Sequence, residues 1–128
     1  MRTILIAATL YGLTAVILGA FGAHGLKGKL SPDLLASFET GVRYQLIHAV
    51  LLLVIALWAR TAPSPLLSWS AALVAGGVVL FSGSIYVLAT RTLTGWEWAK
   101  ALGPVTPLGG LLMIIGWLLL VVWALRGR

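Results

Sequence analysis

The chain contains no cysteine, so disulfides, thiolate metal sites and cysteine nucleophiles are excluded. Charge is nearly as scarce. Only 9% of the 128 residues are charged, against roughly a quarter in ordinary soluble domains. Acids are the rarest: three Asp and Glu stand against nine Lys and Arg, for a net charge of +6. With 60% hydrophobic residues the chain is the opposite of a disordered segment, which needs low hydrophobicity and high charge. The basic residues are scattered at the ends of apolar segments and form no stripe or arm. That is a membrane-protein pattern, and it excludes nucleic acid as the expected partner.

What the sequence does have is apolar length. Spanning helices are expected over about residues 4–22, 44–60, 69–90 and 107–125, in one domain covering residues 1–128. Crossing some 30 Å of hydrocarbon takes roughly 20 apolar residues. The second run is apolar only over about residues 46–59, so it needs an extension. Ser31-Pro32-Asp33 supplies its start, with an N-cap hydroxyl, proline at the first helical position and an acid at the positive dipole end. Leu34, Leu35, Phe38 and Val42 follow at helical spacing, and Glu39 and Arg43 are four apart, able to pair. The fold expected is an all-α integral membrane bundle of four transmembrane helices, with an amphipathic helical extension before helix two.

The first segment resembles a signal peptide in Arg2 and in Ala20-Phe21-Gly22. Its apolar run is too long for that, and it carries a small-residue face of Ala8, Gly12, Ala15, Gly19 and Ala23. It is read as a transmembrane helix. Gly12 with Gly19, Gly76 with Gly83, and Gly109 with Gly116 lie one heptad apart, and with Gly110 they are read as helix-packing positions. Pro63 and Pro65 separate helices two and three. Tryptophans at segment ends suit the bilayer interface. Thr106-Pro107 reads as an N-cap followed by proline at the start of helix four. With both termini on one side, that side holds Arg2, Arg60, Arg126 and Arg128, and the other holds Lys27, Lys29, Arg43, Arg91 and Lys100. Four against five assigns no orientation under the positive-inside rule.

Polar residues are polarised toward one membrane face. His24, Glu39, Arg43, Tyr44, Gln45, His48, Ser82, Ser84, Tyr86 and Thr106 form the candidate cluster, for binding or for structure. Both histidines read as interfacial and hydrogen-bonded. Ser82, Ser84 and Tyr86 read as bonds across helices. No nucleophile elbow or aligned base is present, so no catalytic residue, cofactor or metal is expected. A haem or metal role through His24 and His48 ranks below the other readings, because no third ligand has metal-site spacing.

Four motifs carry a resemblance. Gly19-Ala20-Phe21-Gly22-Ala23-His24-Gly25-Leu26, then Tyr44-Gln45 with His48-Ala49, then Ser82-Gly83-Ser84 with Tyr86, then Thr106-Pro107 with Gly109-Gly110 resemble, in order and spacing, those of the YgdD-like family. Gly116-Trp117 also fits. The resemblance implies a small four-helix protein of the bacterial inner membrane, multi-pass, in a family catalogued as a domain of unknown function. It implies no activity, substrate or catalytic residue. The reading that results is a non-enzymatic accessory or interaction protein of the membrane. Its expected partners are membrane lipids and either further copies of itself or a larger membrane complex. The alternative is lipid or small-molecule binding or transport through the polar cluster.

Overall fold

The structure, a computed structural model, describes residues 1–126; Arg128, counted above with the Arg2 side, lies outside the described residues. Four long helices carry the fold: α1 (Arg2–His24), α2 (Pro32–Thr61), α3 (Pro65–Ala89) and α4 (Val105–Arg126). Each is part of a helical segment long and apolar enough to cross a membrane, and no strand occurs among the described residues. The chain is thus an all-α membrane protein. Between α3 and α4 lie a short turn of helix, Arg91–Thr94, and a 3-10 segment, Glu97–Leu102.

Helix α2 starts where its sequence dictates. Ser31 accepts a hydrogen bond from the Leu34 amide at 3.3 Å, and Pro32 occupies the first turn. The helix then runs unbroken for 30 residues, about 45 Å at 1.5 Å per residue. That exceeds the hydrocarbon thickness, so its amphipathic first turns project beyond the apolar layer. The Glu39–Arg43 pair does not form: both side chains are exposed, and the single salt bridge among the described residues is Lys100–Glu97. An exposed pair gains too little to fix two long side chains.

The helices associate as two pairs. Helix α1 packs on α2, α3 packs on α4, and α2 against α3 joins them. One buried cluster, with Ala8, Leu52, Ile55, Leu67, Val74 and Leu120, fills the half nearer the chain termini. A second, with Leu26, Leu30, Phe38 and Ala89, closes the other end. Leu26 and Leu30 belong to the α1–α2 connection, which turns at Gly28 with φ +82° and so folds both leucines back under Phe38. Stacked tryptophans mark both ends: Trp58 with Trp123 at 5.0 Å, and Trp96 with Trp98 at 5.5 Å.

Burial of apolar surface from water does not hold helices together inside lipid, so close approach and interhelical hydrogen bonds must. The α3–α4 contact uses close approach. A Cβ placed on Gly109 would collide with the Phe81 amide nitrogen and lie 2.7 Å from the Gly77 carbonyl oxygen. One on Gly77 would lie 2.7 Å from Met113 Cγ, and one on Gly116 2.7 Å from Val74 Cγ2. Ser70 adds a bond from its hydroxyl to the Gly116 carbonyl at 2.8 Å. The heptad pairing of Gly76 with Gly83 is not part of this seam: both glycines face open space, and Gly77 takes the contact. The α3 side of the seam is carried by Val74, Gly77 and Phe81, three and four apart, so Gly76 lies one residue off it. A π-helical turn, Val79–Gly83, follows within α3. In α1 the sequence face is nearly right. Ala8, Ala15 and Gly22 are buried, Gly12 and Gly19 point toward Ala49 and Val42, and the exposed Ala23 is replaced by Gly22 against the Phe38 ring. A Cβ on Gly110 would lie in ordinary contact with the Phe81 ring, at 3.8 Å.

Candidate functional site

The polar residues on α2 and α3 converge with two on α1 that the sequence did not single out. Gln45 is 6% exposed. Its amide nitrogen donates to the Tyr11 carbonyl at 2.9 Å and the Thr14 hydroxyl at 2.6 Å, and its amide oxygen accepts from the Tyr86 hydroxyl at 2.7 Å. One side chain thereby clasps three helices. Tyr86 stands near the end of α3, but helical side chains lean toward the helix N-terminus, which carries its hydroxyl down toward Gln45. The Tyr11 hydroxyl donates to the Ala75 carbonyl of α3 at 2.8 Å, and the Ser82 hydroxyl to the Gly41 carbonyl of α2 at 2.7 Å. Gly41 permits that approach, since a Cβ there would meet the Tyr86 ring at 2.9 Å.

His48 is 5% exposed and has both ring nitrogens engaged. Trp117 Nε1 lies 3.1 Å from His48 Nε2, and His48 Nδ1 lies 2.7 Å from the Tyr44 carbonyl oxygen. An indole can only donate, so Nε2 accepts and Nδ1 carries the proton that goes to Tyr44. Trp117 is twelve residues from the start of α4 and nine from its end, about 18 Å and 14 Å along the axis. His48 therefore lies deep in the bilayer, and its expected interfacial position is corrected. One carbonyl and an indole in place of water explain how an imidazole is tolerated there.

Ser84 and Thr106 form a further link, between α3 and the start of α4. The Ser84 hydroxyl also bonds the Phe81 carbonyl at 3.0 Å. Helix α4 begins at Val105, so Thr106 and Pro107 lie within its first turn, and the Thr106 side chain turns to Ser84 instead of capping. Proline is harmless there, because first-turn amides have no helical partner.

The candidate cluster thus divides. Gln45, His48, Ser82, Ser84, Tyr86 and Thr106 lie in the helix contacts. Tyr44 stacks between His48 and Phe81 at the bundle surface, with centroids 6.1 and 4.8 Å away. His24, Glu39 and Arg43 are exposed and stand apart from it. Among the described residues, no buried side-chain nitrogen or oxygen lacks a partner, and no group of three metal-ligating residues occurs. His24 is exposed, and His48 has both ring nitrogens occupied by Tyr44 and Trp117. Two cavities adjoin the cluster: a cleft of ≈ 270 Å³ lined by Tyr44, His48, Phe81 and Trp117, and one of ≈ 380 Å³ between α2, the end of α3 and Thr106. Sequence reading missed Tyr11, Thr14 and Ser70, and named Trp117 only within a family motif. Polar groups amid apolar runs are the signal that could have marked the first three.

Residues 18–110 match a family described as "Protein of unknown function (DUF423)". The "UPF0382 membrane protein" of Staphylococcus epidermidis (strain ATCC 12228) is 42% identical over 126 residues, 98% of each chain. "UPF0382 membrane protein YwdK" of Bacillus subtilis is 39% identical over 127 residues, again 98% of each. "UPF0382 inner membrane protein YgdD" of Escherichia coli K12 is 38% identical over 125 residues, covering 98% of this chain and 91% of that one. No solved structure matches. The resemblance read from the four motifs therefore holds over nearly the whole chain, and the protein belongs to the DUF423 family of UPF0382 proteins, as a multi-pass protein of the bacterial inner membrane.

Proposed function

We propose that this protein is non-enzymatic and acts by association within the membrane, with lipids and with neighbouring membrane proteins or further copies of itself. One observation carries the reading. The polar side chains that could do chemistry are used up in holding helices together: Gln45 bonds Tyr11, Thr14 and Tyr86, His48 bonds Tyr44 and Trp117, and Ser82 bonds Gly41. Among the described residues no serine has an aligned base, and a nucleophile without one is weak. The bundle then presents its outward surface as the working part. That surface includes the lipid-facing side of α1, where Ile6, Leu10, Leu13, Val16 and Ile17 are all more than half or nearly half exposed.

The test is crosslinking in native membranes followed by gentle release and native mass spectrometry. A reproducible neighbour or a defined oligomer supports association. Migration as a lone monomer with no crosslinked neighbour refutes it.

A further inference from the structure

The ≈ 380 Å³ cavity lies at the membrane face where α3 ends and α4 begins, between those ends and the first turns of α2. Its apolar walls come from Leu34, Ile85 and Leu88, with the Phe81 ring. Its polar lining is Ser37, Thr40, Thr106 and Arg91. The donors and acceptors among these four can be assigned one by one.

Arg91 is half-buried, and its Nη1 donates to the Leu88 carbonyl at 2.7 Å, which closes the end of α3. A guanidinium has five N–H donors in a rigid fork, so four remain. Among the described residues Arg91 is in no salt bridge, and no carboxylate lines the cavity. The three hydroxyls have spent their protons elsewhere. Ser37 donates to the Asp33 carbonyl at 3.1 Å and Thr40 to the Ala36 carbonyl at 3.0 Å. The Ser84 proton goes to the Phe81 carbonyl, so in the Ser84–Thr106 link it is Thr106 that donates. Ser37, Thr40 and Thr106 therefore offer lone pairs only. The cavity combines one unpaired cationic fork, three neutral acceptors and an apolar floor at headgroup level.

From this pattern we infer that the cavity is a binding site for a glycerophospholipid whose headgroup carries its own hydrogen-bond donor beside the phosphodiester, an ammonium or a hydroxyl. The fork of Arg91 matches two phosphate oxygens. The headgroup donor meets the hydroxyl lone pairs. The glycerol ester region rests on Leu34, Ile85 and Leu88. A choline headgroup offers the same phosphate without a donor and leaves the three acceptors unmet. This assignment rests on the lipid part of the association reading and not on its protein part, because a monomer with no protein neighbour would keep the cavity.

The experiment uses the full-length protein in detergent, stripped of lipid and titrated with lipids of identical acyl chains bearing ethanolamine, glycerol or choline headgroups. Native mass spectrometry reads the bound fraction. Ethanolamine and glycerol lipids are expected to bind several-fold more tightly than the choline lipid. Arg91→Gln is expected to weaken all three by about tenfold, the loss of a charge-assisted pair. Thr40→Val keeps the charge and the shape, and is expected to narrow the preference for ethanolamine over choline. Millimolar glycerol phosphate should leave the lipid in place. Equal binding of the choline lipid, or undiminished binding by Arg91→Gln, overturns the assignment. Displacement by glycerol phosphate reassigns the cavity to a soluble phosphate ester and overturns the lipid.

Discussion

The two helix contacts at the centre of the bundle are fastened in different ways. Where α3 meets α4, glycines bring backbones together: Gly77, Gly109 and Gly116 leave no room for a Cβ. Where α1, α2 and α3 meet, side chains bridge the gap, with Gln45 reaching Tyr11, Thr14 and Tyr86. Both devices answer one problem, that lipid supplies no hydrophobic force between helices. They differ in tolerance. A backbone seam cannot relax around an added methyl group, whereas a polar clasp loses one bond at a time.

The largest expected effect follows from the seam. Gly109→Leu forces side-chain atoms against the Phe81 amide and the Gly77 carbonyl, and backbone cannot swing aside as a side chain can. A loss of about 3 kcal/mol or more is expected, read as a lowered midpoint of SDS or thermal unfolding in mixed micelles. The clasp should cost less. Gln45→Leu removes three bonds and leaves the Tyr86 hydroxyl to find a new partner, for about 1–2 kcal/mol in the same assay. If Gln45→Leu proves costlier than Gly109→Leu, the ordering of the two devices is reversed.

Smaller still is the His48–Trp117 link. Trp117→Phe removes one donor and should cost about 0.6 kcal/mol, the average for such bonds in membranes. Its sharper signature is spectroscopic. Nitrogen NMR of the His48 ring should find the proton on Nδ1, and Trp117→Phe should shift the Nε2 resonance. A proton on Nε2 would contradict the described arrangement. At the bottom of the scale, Gly83→Ala meets open space and replaces a poor helix former. It should be neutral or stabilising by at most about 1 kcal/mol.

The sequence made the architecture readable because apolar length is a one-dimensional property. Runs of hydrophobic residues, the Ser31-Pro32 start and the prolines near residue 64 locate the helices without reference to packing. The polar set was readable for a similar reason: Gln45, His48 and Tyr86 stand out against an apolar background. Depth and facing were not readable. His48 looked interfacial from its place near the start of an apolar run, yet its ring meets Trp117, near the middle of α4. The Gly76–Gly83 heptad looked like a packing face, yet the seam runs through Gly77 and Phe81, while Gly76 and Gly83 both face open space. No residue in Val79–Gly83 announces the π turn found there. Arg91 looked like a loop charge of the topology count. Only the fold shows it facing three hydroxyls across a cavity.

The most direct measurement compares two adjacent alanine substitutions in one unfolding assay. Gly77 and Gly76 are chemically identical and equally placed in the sequence, and they differ only in facing. Gly77→Ala places a methyl group against Met113 and the Gly109 carbonyl, and is expected to destabilise by about 2 kcal/mol. Gly76→Ala should leave the midpoint unchanged or slightly raised. Equal losses at both positions, or a larger loss at Gly76, would contradict the backbone seam between α3 and α4 on which the account rests.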